Sequence, residues 1–433
     1  MLDRTQQPEI SKFEDFSFDF PKPIKLSNGI DIYVINSGDQ ELNKIEFIFR
    51  GGIYEQDIPL QAMVASTMLM HGTVHHSSSE ISEFFDFYGT IVNTRYIDNF
   101  TTVSVMSLNQ NMEEILPMVH EIIYQPEFPE KEFELLREQI KGAYKNVRKR
   151  VKYISQVAAS QLLMGDDHPS ARDVYDSEIE AITRHDVKEF HNKWIRPENC
   201  VIVASGKVDA KLFAFIDKSF GCDRITSSML DCKIIPSNPS DIHFKVVDKD
   251  DAMQSSVVFL QNSIMRNHPD YIKLRIVITA LGGYFGSRLM KNIREEKGYT
   301  YSIGASLLCT KNLSYINISS ECDTAYTAEL IKEVKIEIEK LRAQEMDNEE
   351  LSTLKNCMLS DLVKILDTPL SMAGLVTSHL FYSTGTDYFN KQREIIENIT
   401  AKDIKEIAFK YLNIDNFYIV VAGNEKLMKL ESL

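Results

Sequence analysis

The chain has 433 residues, of which 43% are hydrophobic and 26% charged, and a formal net charge of −15. That length exceeds one ordinary core and suits two large domains, and the excess of carboxylates disfavours nucleic acid and anionic membrane as main partners. No apolar run reaches the ~18 residues of a membrane-spanning helix.

The opening stretch, MLDRTQQPEISKFEDFSFDFPKP, has neither the apolar core nor the cleavage pattern of a secretory signal. It reads as an extended arm in which Phe13, Phe16, Phe18 and Phe20 dock on the arm's own domain or, alternatively, around a partner. The cysteines at 200, 222, 232, 309, 322 and 357 show no C-x-x-C spacing. Reduced thiols in a cytoplasmic protein are therefore expected. Cys222 and Cys232 flank a linker-like stretch, and nothing in the pattern requires a bond between them.

Alternation predicts strands at 30–36 and 44–50, then helices at about 59–71 and 79–88, then strands at 91–96 and 100–107. Long helical patterns follow at 134–151 and 156–164. Residues 182–206, ITRHDVKEFHNKWIRPENCVIVASG, read as an amphipathic helix, a polar turn ending in Asn199, and an apolar strand closing on Gly206. Residues 222–240, CDRITSSMLDCKIIPSNPS, have the Ser/Pro/Asn content of a linker.

Beyond it the same order returns. Strands are predicted at 244–247 and 254–261, helices at about 269–281 and 286–296, strands at 300–308 and 313–320, and helices at 351–368 and 372–379. Residues 399–423, ITAKDIKEIAFKYLNIDNFYIVVAG, match 182–206 without a gap at an offset of 217, with ten of the twenty-five positions identical. The chain is written twice. The expected organisation is one domain at 1–221, a linker at 222–240 and a second domain at 241–433. Each half predicts an α+β fold with a mainly antiparallel sheet and helices packed on one face.

Residues 281–305, LGGYFGSRLMKNIREEKGYTYSIGA, carry the most specific pattern. Gly282 and Gly283 break one helix, Ser287 stands where it would cap the next, and Gly298 turns the chain into a strand. Arg294 and Tyr301 lie seven residues apart across that turn, so both can point to one side. Taken singly they read as a solvated helix-end charge and a packed strand aromatic. Taken together they are two strong donors that need lose no proton at neutral pH, suited to holding a peptide carbonyl as negative charge develops on it.

In the first half, residues 62–73 read AMVASTMLMHGT and 140–145 read IKGAYK. His71 and His75 have the i, i+4 spacing of a helical metal pair, but Gly72 and Thr73 interrupt it. With His76 they fit a helix end entering a Ser-rich turn. His168, in GDDHPS, reads as a turn residue, and the basic run 145–152 as a solvated helix face. Met63, Met68 and Met70 read as core, or as a soft lining.

The 281–305 string resembles the second-half motif of the insulinase/pitrilysin zinc peptidases, the clamshell family that includes the mitochondrial processing peptidase. There the matching Arg and Tyr hold substrate rather than metal. KLSNGI at 25–30, FRGG at 49–52 and IVNTRY at 91–96 extend the resemblance across the chain, the last resembling the family's substrate-pairing edge strand and bringing in Asn93. The family's inverted zinc motif, H-x-x-E-H, falls on Met63, Ser66 and Thr67 in the register set by MLMHGT. Its third ligand, a Glu, falls near 140–145, where Glu138 is the nearest carboxylate. Methionine and hydroxyl side chains are poor zinc ligands, and no carboxylate remains there to activate water.

The resemblance therefore implies half of a clamshell and a non-catalytic, substrate-holding subunit of a heterodimeric zinc metallopeptidase. This chain would hold no metal or cofactor. Zinc would belong to a homologous partner carrying H-x-x-E-H, and the substrate would be an extended peptide. The alternative is an inert peptide-binding or scaffold protein, with a homodimer possible in isolation. A third reading, an active enzyme with a relocated metal, has four absent positions against it.

Overall fold

The computed structural model describes residues 15–428 and 430. Phe13 lies outside them. The first sheet is built from β1 (Ile24–Lys25), β2 (Asp31–Asn36), β3 (Leu42–Arg50), β4 (Ile91–Ile97), β5 (Phe100–Leu108) and β6 (Cys200–Gly206), in the order β1-β2-β6-β3-β5-β4. The second contains β7 (Phe244–Asp248), β8 (Gln254–Asn262), β9 (Thr300–Cys309), β10 (Ser314–Asp323) and β11 (Tyr418–Gly423), in the order β7-β11-β8-β10-β9. Without β1 the two orders are the same. In each sheet one pair is parallel, β2 with β6 and β7 with β11, and the other pairs are antiparallel. The duplication read from 182–206 and 399–423 is thus a duplication of topology.

Its local chemistry repeats as well. Thr183 accepts from the Asp186 amide and Asp186 answers at the Thr183 amide, closing a capping box on the helix Arg184–Trp194. Thr400 and Asp403 do the same for the helix Ala401–Tyr411. Both copies end on a glycine with positive φ, Gly206 at 116° and Gly423 at 159°. A Cβ on Gly206 would lie 2.2 Å from the Leu42 carbonyl oxygen, so the close approach of β6 to β3 requires glycine there.

The central strands are buried on both faces. β8 is buried at seven consecutive positions and β11 throughout, which is why VVFL and YIVVA read as apolar runs rather than alternations. One face of each sheet meets helices of its own half. The other meets a helix from the opposite half. The helix Val151–Met164 crosses from the first half onto β8 and β11, packing Ala158, Leu162 and Leu163 against Val258, Leu260 and Val420. Small residues on its contact face let it approach closely, and Ser155 Oγ donates to Ser256 Oγ at 2.8 Å inside the interface. The helix Pro369–Tyr382 returns the exchange, lying on β2 and β6 with Ala373 and Val376 beside Ile35 and Val203. Each half therefore completes the other's core.

The N-terminal arm joins the halves a third time. It was expected on its own domain or on a partner. It packs on its own half, where Phe20 meets Tyr33 of β2 edge-on, and also on helices of the second half: Phe18 is buried against Phe389, and Asn390 exchanges two hydrogen bonds with the Phe18 backbone at 3.0 and 3.1 Å. The linker is extended and tied to the first half. Lys233 N donates to Glu55 Oε1 at 3.0 Å, and Asn238 N to the Met164 carbonyl at 2.7 Å. The six cysteines are free thiols. Among the described residues no helix is long and apolar enough to cross a membrane.

Candidate functional site

Two separate places gather the residues singled out in the sequence. The first is the helix Gln61–Met68, which packs beside β4 and the helix Glu130–Val147. Its Ala62, Val64, Ala65 and Met68 enter the first-half core, leaving Met63 and Thr67, one turn apart, half-buried on the rim. Ser66 is buried, and its hydroxyl donates to the Met63 carbonyl at 3.0 Å. That bond leaves Ser66 serving its own helix.

In the window 140–145, Ile140 is core, Lys141 is paired with Glu180 at 2.5 Å, and Tyr144 packs on the same core rim as Met63 and Tyr96. Burial, reinforced by Tyr96 and Asp173, raises the Tyr144 hydroxyl to about 12, so it stays a neutral phenol. Glu138 is exposed. A methionine, a self-bonded serine, a threonine and a neutral tyrosine do not fit a zinc ion.

The histidines have other partners. His71 Nδ1 lies 3.5 Å from Glu132 Oε2, and His76 Nδ1 lies 2.9 Å from Glu121 Oε1. His168 is buried in a turn, accepting from Ser170 N at 3.2 Å, with its ring edge-on to Tyr54. Among the described residues no three His, Cys, Asp or Glu side chains converge as metal ligands. Met68 is core, while Met63 and Met70 lie on its rim. In the basic run, Arg148 is bound to Asp173 and Asp176, and Lys149 and Arg150 are exposed. Asn93 is exposed on β4, which ends its sheet and has one unpaired edge.

The second place is the turn from helix to β9. The helix Tyr271–Ile278 loosens into π-helical turns at Thr279–Gly283, and the next helix widens likewise over Met290–Glu296. Such widened turns are uncommon and concentrate at functional sites. Gly282 permits the first to press against β9: a Cβ there would lie 2.5 Å from Ala305 N. The second is clamped from behind. Arg288 makes a two-pronged pair with Glu350 at 2.7 and 2.9 Å, Asn292 donates to Glu333 and Glu337, and Lys297 pairs with Glu333 at 2.8 Å. The expected Ser287 cap is absent. Its hydroxyl is buried without a hydrogen-bond partner, and Lys291 N takes the Ser287 carbonyl at 2.9 Å.

This scaffold presents Arg294 and Tyr301 differently. The Arg294 guanidinium rests 4.8 Å from the centroid of Phe285, itself 64% exposed, and makes no ion pair among the described residues. Tyr301 is 90% exposed. It stands at a shift in the β9–β10 register, where Thr300 Oγ1 donates to the Glu321 carbonyl at 2.6 Å and Ser320 Oγ donates to the Ser302 carbonyl at 2.9 Å. A bulge of this kind re-aims a side chain, here away from the sheet. Tyr301 borders a cleft of about 360 Å³ shared with Gln254 of β8 and with Lys152 and Gln156 of the exchanged helix. The sequence reading missed Phe285, Lys152 and Gln156. Phe285 carried a signal, one of two adjacent aromatics set between Gly283 and Gly286 in a turn. Lys152 and Gln156 carried none, because they reach this place only through the exchange.

Comparison with known proteins now bears on the site. The family model described as insulinase (peptidase family M16) matches residues 62–166, and that described as the peptidase M16 inactive domain matches residues 181–358. The chain belongs to the M16 peptidase family. An uncharacterised zinc protease of Mycobacterium leprae is 24% identical over 258 residues, covering 57% of this chain and 56% of that protein, so the match spans about half the mycobacterial relative. An uncharacterised zinc protease of Rickettsia felis is 21% identical over 93% of this chain and 97% of its own length. A Helicobacter pylori protein named as a non-peptidase homologue is 21% identical over 88% and 89%. The M16 inactive-domain protein of Pseudomonas fluorescens superposes with a TM-score of 0.83 at 20% identity, covering 93% of this chain and 98% of its own. A Helicobacter pylori protease superposes at 0.80 with 18% identity, covering 93% and 99%. The two-domain α+β architecture is that of the M16 fold.

Proposed function

We propose that this chain is the non-catalytic, substrate-holding subunit of a two-chain M16 metallopeptidase acting on extended peptides. The observation that carries the reading is a contrast between its two halves. At the motif positions of the first half stand Met63, Ser66 and Thr67, with no carboxylate in 140–145. In the second half both donors are kept on a braced turn, Tyr301 exposed and Arg294 half-buried over Phe285. The resident zinc would belong to a homologous partner with H-x-x-E-H. This chain's residues would bind and orient. A peptide added as a strand to an open sheet edge gains main-chain hydrogen bonds with loose sequence preference. The Tyr301 hydroxyl and the Arg294 guanidinium would then donate to its carbonyl oxygen. For that, Arg294 must turn off Phe285.

That contact also favours the second reading, an inert scaffold, in which Arg294 is a surface group on an aromatic. The test is co-expression with an M16 chain bearing H-x-x-E-H, followed by kcat/KM on peptide substrates. Tyr301→Phe and Arg294→Ala should leave assembly and the partner's zinc unchanged and lower kcat/KM, on the order of 10²-fold for loss of an oxyanion donor. Full activity in both variants would make the pair structural and the scaffold reading correct.

A further inference from the structure

A cleft of about 380 Å³ lies between the N-terminal arm and the helices Pro369–Tyr382 and Tyr388–Asn398 of the second half. Its charge is unusual for this molecule. The chain carries 63 acidic and 48 basic residues, yet Arg266 and Arg275 line the cleft and no Asp or Glu does.

Arg266 is the informative group. Its guanidinium lies flat on Tyr382, 3.9 Å from the ring centroid, and its Nη1 donates to Ser378 Oγ at 2.9 Å. Its Nε is buried with no hydrogen-bond partner, and among the described residues it forms no ion pair. Arg275 donates to the Gln392 side-chain carbonyl and makes no ion pair among the described residues. The Tyr388 hydroxyl, which borders the same cleft, is also buried without a partner. Buried donor atoms left unpaired are costly, and native structures ordinarily satisfy them. Here the unpaired atoms, Arg266 Nε and the Tyr388 hydroxyl, belong to residues that line a single cleft. Both are donors, so the complement they lack is an anionic acceptor. The opposite wall is apolar, with Phe18, Phe20, Leu375 and Phe389.

We propose that this cleft binds a small organic carboxylate, its carboxylate on the Arg266 edge and the Tyr388 hydroxyl and its apolar body against the phenylalanine wall. The planar guanidinium fork matches a carboxylate in two-pronged geometry, and the volume lies in the range of small-molecule sites. Because Phe18 and Phe20 form part of the wall, binding would also fasten the arm to the second half.

The probes are benzoate, benzyl alcohol (the same body without charge) and inorganic phosphate (charge without body), each titrated into the purified chain by calorimetry and by thermal unfolding. Benzoate should bind saturably at one site and raise Tm, and the other two should not. Tyr388→Phe removes only an unpartnered hydroxyl. The unliganded variant should therefore be as stable as the parent or more so, and its benzoate Kd should rise about tenfold. Arg266→Met should abolish binding. No saturable response to millimolar benzoate, or an unchanged Kd in Tyr388→Phe and Arg275→Gln, would overturn the proposal even if Arg266→Met fails to fold. Phosphate matching benzoate would overturn the assignment of an organic carboxylate.

Discussion

Gly282 offers a sharp test of how the β9 turn is built, because its neighbour Gly283 is a control. At Gly282 an added Cβ would meet Ala305 N at 2.5 Å, Ala305 Cβ at 2.7 Å and Ala305 Cα at 3.1 Å. Ordinary contacts are roughly 3.5–4.0 Å, so helix and strand must separate by about 1 Å, and backbone atoms cannot rotate aside. Overpacking of this kind costs about 1–3 kcal/mol, and alanine's better helix propensity returns up to about 1 kcal/mol. Gly282→Ala should therefore lose about 1–2 kcal/mol. At Gly283 the three nearest atoms to a Cβ would be those of the Thr279 side chain, at 3.1 to 3.3 Å, so a shift of tenths of an ångström suffices. Gly283→Ala should be neutral or stabilising. Equilibrium urea unfolding followed by far-UV circular dichroism measures both. Gly282→Ala as stable as the parent would show that β9 is not seated on the π-helical turn, and with it would go the account of how Tyr301 is placed.

Asp98, in the turn between β4 and β5, is raised to about 6 by burial, which outweighs the lowering hydrogen bond from Ser170, with neighbouring Glu55 adding a smaller push upward. A carboxyl raised in the folded state stabilises fully only below its unfolded value and loses that contribution as pH climbs through the folded one. Stability should therefore fall between about pH 4 and pH 6, and Asp98→Asn should flatten that slope and gain on the order of 2–3 kcal/mol at pH 7. Denaturant titrations at several pH values check the sign. Restoring Met63→His, Ser66→Glu and Thr67→His together should not yield tight zinc or good cleavage, since 140–145 still lacks a carboxylate. Metal analysis showing one tightly held zinc with peptide turnover would refute the missing-ligand argument. Trypsin should cut the linker first at exposed Arg224, ahead of the segment pinned by Lys233 and Asn238. The two pieces should co-elute in size exclusion, because each holds a helix of the other's core. Pieces that separate without denaturant, or a first cut inside 130–206, would count against it.

Much of this fold was legible because its signals are local. Thr183 with Asp186, and Thr400 with Asp403, are caps written four letters long, and the strands they precede are apolar runs ending in glycine. The edge position of β4 followed from resemblance and is met by the sheet order. Partners distant in sequence were not legible. A strand buried on both faces reads the same whichever helix covers it, so the exchange of Val151–Met164 and Pro369–Tyr382 left no trace in the pattern. Ser287 failed as a cap for a related reason. Its spacing is that of an ordinary N-terminus, but Arg288 and Asn292 draw the helix onto the carboxylates of Glu350, Glu333 and Glu337, and the serine hydroxyl is buried in the process.

The placement of the altered motif explains why its chemistry can differ without disturbing the fold. Ala62, Val64, Ala65 and Met68 form the buried stripe of that helix, whereas Met63 and Thr67 sit on its rim. Ligand chemistry on a rim is separable from the core, and an apolar Met63 beside Tyr96 and Tyr144 adds contact area where a metal-binding face would need polar groups left open. Arg294 and Tyr301 are separable in the same sense. Their scaffold rests on Arg288, Asn292, Thr300 and Gly282, none of which they touch through a hydrogen bond. Arg294 has the Phe285 ring to rest on, which gives its guanidinium a contact within the chain. For Tyr301, at 90% exposure, neither core packing nor a hydrogen bond to the chain accounts for the hydroxyl. Contact with another molecule would give it a use, and the single-atom change Tyr301→Phe is the measurement that decides this.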